Sequence, residues 1–80
     1  MSTVRDEIIE IIKLSSKPRV PDLHDDNKSL FELGMDSLDY ATTIMGIEEK
    51  YDLEIVESDM EDLTSLKSIV SFVERRLTHS

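Results

Sequence analysis

Apolar residues recur at helical spacing in three separate stretches of the chain. The first stretch predicts a helix over about 3–15, because its apolar residues share one face and its charged residues the other. The apolar positions of that face are Val4, Ile8, Ile11 and Ile12. Thr3 can cap this helix, with Asp6 at the favourable acidic position of the first turn. Pro18 cannot continue the helix, so we expect it to end before that residue.

The second stretch predicts a helix over about 37–51 with two distinct faces. We assign one face to the core, and its members are Tyr40, Ala41, Ile44, Ile47 and Tyr51. A second stripe, continuous with Ser37, consists of Leu38, Thr42, Met45 and Glu49. Leucine and methionine beside acids suit a docking surface for a partner helix or groove, but they equally suit residues that flank the core. Gly46 costs about 1 kcal/mol relative to alanine in mid-helix, and it admits either close packing or cargo.

The third stretch predicts a helix over about 65–77, preceded by a short helix over about 58–63. Ser58 or Asp59 can cap the short helix, and Thr64 or Ser65 can cap the last one. The apolar stripe of the last helix consists of Leu66, Ile69, Val70, Val73 and Leu77.

Residues 16–35 show no sustained period and form a long connection between the first and second helices. Connections of such length are uncommon in small domains unless they are functional. The apolar residues expected to pin it across the helices are Val20, Leu23, Leu30, Phe31 and Leu33. We therefore predict an all-α fold for a single domain over residues 1–80, with three main helices, a short helix and one long loop.

Charge is concentrated in one part of the chain, which has a formal net charge of −9. Residues 36–62 hold ten acids and a single base, Lys50, while the remaining residues are neutral overall. This balance opposes binding to nucleic acid or to an anionic membrane surface. The acids form either a solvated face or a surface that attracts basic partners.

Composition excludes several kinds of chemistry. Without cysteine, the chain offers neither a thiolate zinc site nor a thiol nucleophile of its own, so any thiol must come from a cofactor. His24 and His79 both fall in irregular segments, which leaves no credible Ser-His-Asp set, and no calcium-binding loop motif is present. No apolar run approaches the roughly 20 residues that span a bilayer, and a signal-peptide pattern is lacking. We expect a soluble, cytoplasmic, monomeric protein without stable membrane insertion.

The stretch from Leu33 to Asp39 holds the candidate site, because a loop there enters the second helix. Gly34 gives the backbone freedom to turn, and Asp36 and Ser37 are both good helix caps. Ser37 is therefore either a cap or the attachment point of a phosphate-linked prosthetic group. A helix start carries positive partial charge and free amide donors, which favour a phosphate.

Two longer segments, Leu30–Asp39 and Ile44–Ile55, resemble the acyl carrier protein family, and the similarity extends over essentially the whole chain. The resemblance implies that Ser37 carries 4′-phosphopantetheine through a phosphodiester, installed from coenzyme A by a separate transferase. Asp36 matches the acid that helps this transferase engage its metal and the serine. The resemblance also implies a partner-binding face composed of Leu38, Asp39, Thr42, Met45, Glu48 and Glu49.

By this resemblance the chain is a discrete carrier, not an enzyme, that presents acyl thioesters in fatty-acid or specialised lipid or secondary-metabolite synthesis. Its partners would be the phosphopantetheinyl transferase, acyl- or aminoacyl-loading enzymes and synthases with basic docking patches. Two departures from typical fatty-acid carriers are Thr42, in place of glutamate, and Thr43, in place of a large aliphatic residue. They keep open a specialised aminoacyl or hydroxyacyl carrier. An acidic adaptor without a prosthetic group is the alternative from another class.

Overall fold

The computed structural model describes residues 3–78, which form four helices. In chain order they are α1 (Val4–Ser16), α2 (Ser37–Tyr51), α3 (Glu57–Met60) and α4 (Leu66–Thr78). The predicted all-α fold is confirmed, with three long helices, one short helix and a long loop between α1 and α2. No helix within residues 3–78 has both the length and the apolar character needed to cross a bilayer.

Local capping explains where the helices begin. The Thr3 hydroxyl accepts the Asp6 N–H at 3.1 Å, while the Asp6 carboxylate accepts the Thr3 N–H at 3.4 Å. Ahead of α4, the Ser65 hydroxyl accepts the Ser68 N–H at 3.1 Å. The expected cap of α3 is wrong, because α3 begins at Glu57 behind Val56, whose side chain cannot accept a hydrogen bond.

Helix α1 packs against both α2 and α4. Gly46 of α2 lies at the first of these contacts, where an added Cβ would stand 3.0 Å from Cγ2 of Ile11. The glycine therefore permits close packing of α1 on α2, which is one of the two roles expected for it. At the end of α2, the Tyr51 hydroxyl donates to Oε1 of Glu7 at 2.7 Å and joins the same two helices.

The core follows the predicted helix faces with two corrections. Its buried apolar residues are Ile8, Ile12, Leu30, Met35, Tyr40, Ile44, Ile47, Ile55, Leu63, Leu66, Ile69, Phe72 and Val73. On α2 the predicted core residue Ala41 is exposed and Thr43 is buried instead, because the buried arc is centred near Ile47. On α4 the predicted Leu77 is exposed in the last turn, and Phe72 is buried.

Two buried apolar residues in the second half of the long loop pack it against the core. Leu30 is fully buried and donates its N–H to the Thr64 carbonyl at 2.7 Å. Met35 is also buried, and its N–H donates to the Leu30 carbonyl at 3.0 Å. Val20 and Phe31, both expected to pin the loop, are exposed. The predicted pinning of the loop is therefore right in kind but wrong for these two residues.

Candidate functional site

Ser37 is the first residue of α2, and its side chain is exposed. The preceding residue, Asp36, has extended backbone angles and acts as the N-cap, with Oδ1 accepting the Asp39 N–H at 2.8 Å. Within residues 3–78, no group forms a hydrogen bond with the Ser37 hydroxyl. The structure thus separates the two roles that the sequence allowed: Asp36 caps the helix and Ser37 has a free hydroxyl.

The backbone ahead of this site is fixed by a turn. Gly34 adopts a φ of 111°, which disfavours residues with a Cβ, although a Cβ there would meet nothing within 4 Å. The requirement for glycine is therefore conformational rather than steric. Its N–H donates to the Phe31 carbonyl at 3.2 Å, and the buried Met35 follows it. These contacts hold the loop against the core immediately before Asp36.

The electrostatics of this helix end favour an anion. The Asp36 side chain and carbonyl accept the N–H groups of Asp39 and Tyr40, respectively. By helix geometry, the two preceding amides, of Ser37 and Leu38, have no partner within α2. These amides and the helix dipole give the tip a positive partial charge beside the Ser37 hydroxyl. An exposed, unengaged hydroxyl at such a tip fits a phosphodiester-linked group.

Four of the six residues predicted to bind partners lie together in one exposed stripe along α2. Leu38 is 74% exposed and Met45 is 59% exposed, and Thr42 and Glu49 are exposed beside them. We call these four residues the α2 stripe. Two apolar side chains that project into solvent next to a carboxylate are the surface that a partner could cover.

The two remaining residues of that face have other contacts. Asp39 is half-buried, with its N–H held by Asp36 and its carbonyl accepting the Thr43 hydroxyl at 2.9 Å. Glu48 is also half-buried, and its Oε2 accepts the Ile55 N–H at 2.9 Å. Glu48 therefore braces the segment after α2 rather than joining the α2 stripe.

Other candidate chemistry lies outside this site. Nδ1 of His24 is 3.3 Å from the Asp22 carboxylate in an exposed part of the loop, and His79 lies outside the described residues. Among residues 3–78, no group of three or more histidine, aspartate or glutamate side chains is placed to hold a metal ion.

One residue near the site has a role that sequence reasoning missed. Tyr40 was expected only as a core residue, yet its hydroxyl donates to the Leu63 carbonyl at 2.7 Å and ties α2 to the α3–α4 connection. Its polar tip on an apolar face, one turn after Ser37, was the available signal, because a buried tyrosine hydroxyl requires a partner.

Comparison with known proteins agrees with this geometry. The family model described as "Phosphopantetheine attachment site" matches residues 2–73. An acyl carrier protein of Campylobacter concisus is 38% identical over 72 residues, which cover 90% of this chain and 88% of the relative. An acyl carrier protein of Campylobacter hominis is 39% identical over 71 residues, covering 89% and 85%, respectively. A third, of Campylobacter lari, is 41% identical over 49 residues, covering 61% and 64%.

The family model and the first two relatives each cover about nine-tenths of the chain, and the family match includes the segment that carries Ser37. The chain therefore belongs to the phosphopantetheine-attachment family, as a non-catalytic carrier of the acyl carrier protein type.

Proposed function

We propose that Ser37 carries 4′-phosphopantetheine and that residues 1–80 form a single carrier domain. The observation that supports this assignment is the exposed Ser37 hydroxyl, which Asp36 leaves unengaged by taking the cap. The arm supplies the thiol that a chain without cysteine lacks, and this thiol holds acyl groups as thioesters.

No side chain of residues 3–78 is placed to activate Ser37. A serine hydroxyl is a weak nucleophile unless a base takes its proton, and no such base contacts Ser37 Oγ within residues 3–78. Attachment therefore requires a separate phosphopantetheinyl transferase that brings its own base or metal. Asp36 is the nearest carboxylate in sequence, and we assign it a second role in engaging that enzyme.

The α2 stripe is the proposed contact with partner enzymes, together with Asp39 at its start. Exposed Leu38 and Met45 supply apolar contact area, and Glu49 supplies a charge for a basic patch. Thr42 lies in the same stripe but carries no charge. The stripe therefore has one negative charge fewer than it would have with glutamate at this position. Loading enzymes and synthases with basic docking patches are the partners that suit it.

For the pathway, we propose fatty-acid synthesis or specialised lipid or secondary-metabolite synthesis. The names of the relatives support the acyl-carrier role that these pathways share. A specialised aminoacyl or hydroxyacyl carrier is the second candidate. Thr43 favours this candidate, because it is buried on the core-facing side of α2 and brings a hydroxyl there. This hydroxyl donates to the Asp39 carbonyl.

Intact-mass measurement tests the attachment. The protein is incubated with coenzyme A and a transferase of broad specificity, and we expect a mass gain of one phosphopantetheine group. Ser37→Ala should abolish the gain, whereas Ser58→Ala, which alters an exposed serine at the start of α3, should preserve it. No gain with several transferases would instead support the adaptor without a prosthetic group.

A further inference from the structure

We propose that Tyr40 closes the interior of the helical bundle beside Ser37, so that the acyl cargo stays on the protein surface. The carrier then holds short or polar acyl groups in preference to long aliphatic chains. This inference rests on the attachment proposed at Ser37. It makes Tyr40 a specificity-determining residue of the carrier.

The position of Tyr40 places its ring under the site. Tyr40 follows Ser37 by one helical turn, and side chains on a helix lean toward its N-terminus. Whereas Ser37 is exposed, Tyr40 is only 6% exposed. The ring therefore fills the space just inside the turn that bears the attachment point.

The contacts of Tyr40 show that this space is bounded on opposite sides. Its hydroxyl donates to the Leu63 carbonyl at 2.7 Å and lies 3.3 Å from the Met60 carbonyl, so the side chain spans from α2 to the α3–α4 connection. Its ring centroid is 5.1 Å from that of Phe31 in the long loop. An aliphatic chain that entered from Ser37 between these segments would meet the ring first.

Displacing the ring has no evident compensation. The hydroxyl would lose its carbonyl partners, and a buried aromatic surface would move into water in exchange for the chain that replaced it. Burial also raises the pKa of Tyr40, which agrees with a hydroxyl kept away from solvent. The next buried residue of α2, Thr43, adds a hydroxyl rather than an aliphatic surface. A short or polar cargo loses nothing by remaining outside.

The nearby cleft does not replace the closed interior. A cleft of about 620 Å³ lies between α3, α4 and the segment that joins them, and its lining includes Leu63 and Phe72 together with the charged side chains of Asp59, Asp62, Arg75 and Arg76. These charged side chains would have to lose water to cover an aliphatic chain. The cleft is therefore a poor shelter for long acyl groups.

Thioester protection in the wild-type protein tests this directly. Ser37 is loaded from acetyl- or octanoyl-coenzyme A, complete loading is verified by intact mass, and the rate of cleavage by hydroxylamine is measured. Each rate is divided by that of the same acyl group on free pantetheine. We expect the octanoyl and acetyl ratios to agree within about twofold, because neither thioester is withdrawn from solvent. Stronger protection of the octanoyl group would overturn the proposal.

Variants of Tyr40 test whether this side chain is the cause. Tyr40→Val removes the ring, so the octanoyl chain can enter the helical bundle. The octanoyl ratio of this variant should then be at least about fivefold lower than its acetyl ratio. Tyr40→Phe retains the ring and should behave as wild type. A folded Tyr40→Val protein that protects octanoyl no more than wild type would assign the exclusion elsewhere and contradict the role of Tyr40.

A second readout covers the case in which Tyr40→Val does not fold. In the wild-type protein loaded with octanoyl, nuclear Overhauser effects between the octanoyl chain and the Leu63 side chain should be absent. Their presence would overturn the proposal. Loading itself separates the two proposals. If no mass gain occurs, the attachment at Ser37 fails and this inference fails with it, whereas full loading with a protected octanoyl group contradicts this inference alone.

Discussion

Two adjacent residues with similar chemistry have different tasks at the tip of α2. Asp36 and Ser37 both carry oxygens that can cap a helix, but Asp36 has the extended backbone of an N-cap and binds the Asp39 N–H. A cap at Ser37 would have engaged its hydroxyl with an amide. The one-residue offset therefore keeps the hydroxyl available for modification.

Substitution of Asp36 separates its capping role from its charge. Asp36→Ala removes the acceptor of the Asp39 N–H and should lower the free energy of unfolding by about 0.5–2 kcal/mol. Asp36→Asn retains a capping oxygen and should unfold much as wild type does. If the carboxylate also engages the transferase, both variants should be loaded more slowly. Urea unfolding and loading rates by mass spectrometry measure the two effects. Wild-type loading of Asp36→Asn would limit Asp36 to the cap.

The sequence could predict the residues of this site but not their division of labour. The motif around Ser37 and the helix start follow from residue types and spacing. Which of the two residues caps α2 depends on Gly34 and on the burial of Met35, which set the angle at which the loop enters the helix. Burial of Met35 follows from the packing of the loop on the core, and no local period indicates it.

At the scale of the helix, α2 shows how well the hydrophobic periodicity of the sequence predicts which residues are buried. Its apolar face was predicted from the 3.6-residue period, and Tyr40, Ile44 and Ile47 are buried. Ala41 was predicted to be buried but is exposed, and Thr43 is buried instead. Both residues lie at the margins of that face, and the positions of neighbouring segments decide which margin is covered. A buried threonine is tolerated because its hydroxyl bonds within its own helix.

Glu48 and Glu49 allow a matched test of the α2 stripe. Both substitutions to glutamine remove one charge, but only Glu49 belongs to the exposed stripe, whereas Glu48 accepts the Ile55 N–H. Glu49→Gln should slow loading by a basic partner enzyme by up to about fivefold at low salt, with stability unchanged. Glu48→Gln retains an acceptor oxygen for Ile55 and should slow loading less.

The measurement is the loading rate at low and high salt, with thermal unfolding as the check on folding. The difference between the variants should diminish at high salt, because screening weakens exposed charge contacts. Equal slowing by the two substitutions would mean that total charge, rather than the position of Glu49 in the α2 stripe, governs association. No slowing by Glu49→Gln would remove that residue from the contact.

The long loop was the least predictable element. Its apolar residues were recognised, but without a period the sequence does not indicate which of them turn inward. Leu30 is buried where its N–H meets the Thr64 carbonyl, and Phe31, next to it, is exposed. Ion pairing also holds the loop, because Arg5 binds Asp26 at 2.9 Å and lowers the pKa of that carboxyl. Such contacts join segments far apart in sequence.

Across the whole molecule, the acids of residues 36–62 are largely unpaired. Of the ten, only Asp59 forms an ion pair within residues 3–78, with Arg76 at 3.5 Å. The others lie between Asp36, the N-cap of α2, and Asp62, which follows α3, in a molecule whose dimensions are 34 × 31 × 22 Å. Folding therefore brings like charges together that the unfolded chain holds further apart.

This crowding predicts that added salt stabilises the fold. The Debye length is about 30 Å at 0.01 M salt, comparable to the whole molecule, and about 8 Å at 0.15 M, where only near neighbours interact. We expect the thermal midpoint to rise between these concentrations, by about 4–8 °C for each kcal/mol of repulsion that is screened. A double variant, Glu57→Lys with Glu61→Lys, replaces two exposed acids of the segment and should show a smaller rise. Calorimetry of both proteins over the salt series measures this, and a midpoint that does not change in the wild type would show that the clustered acids cost the fold no stability.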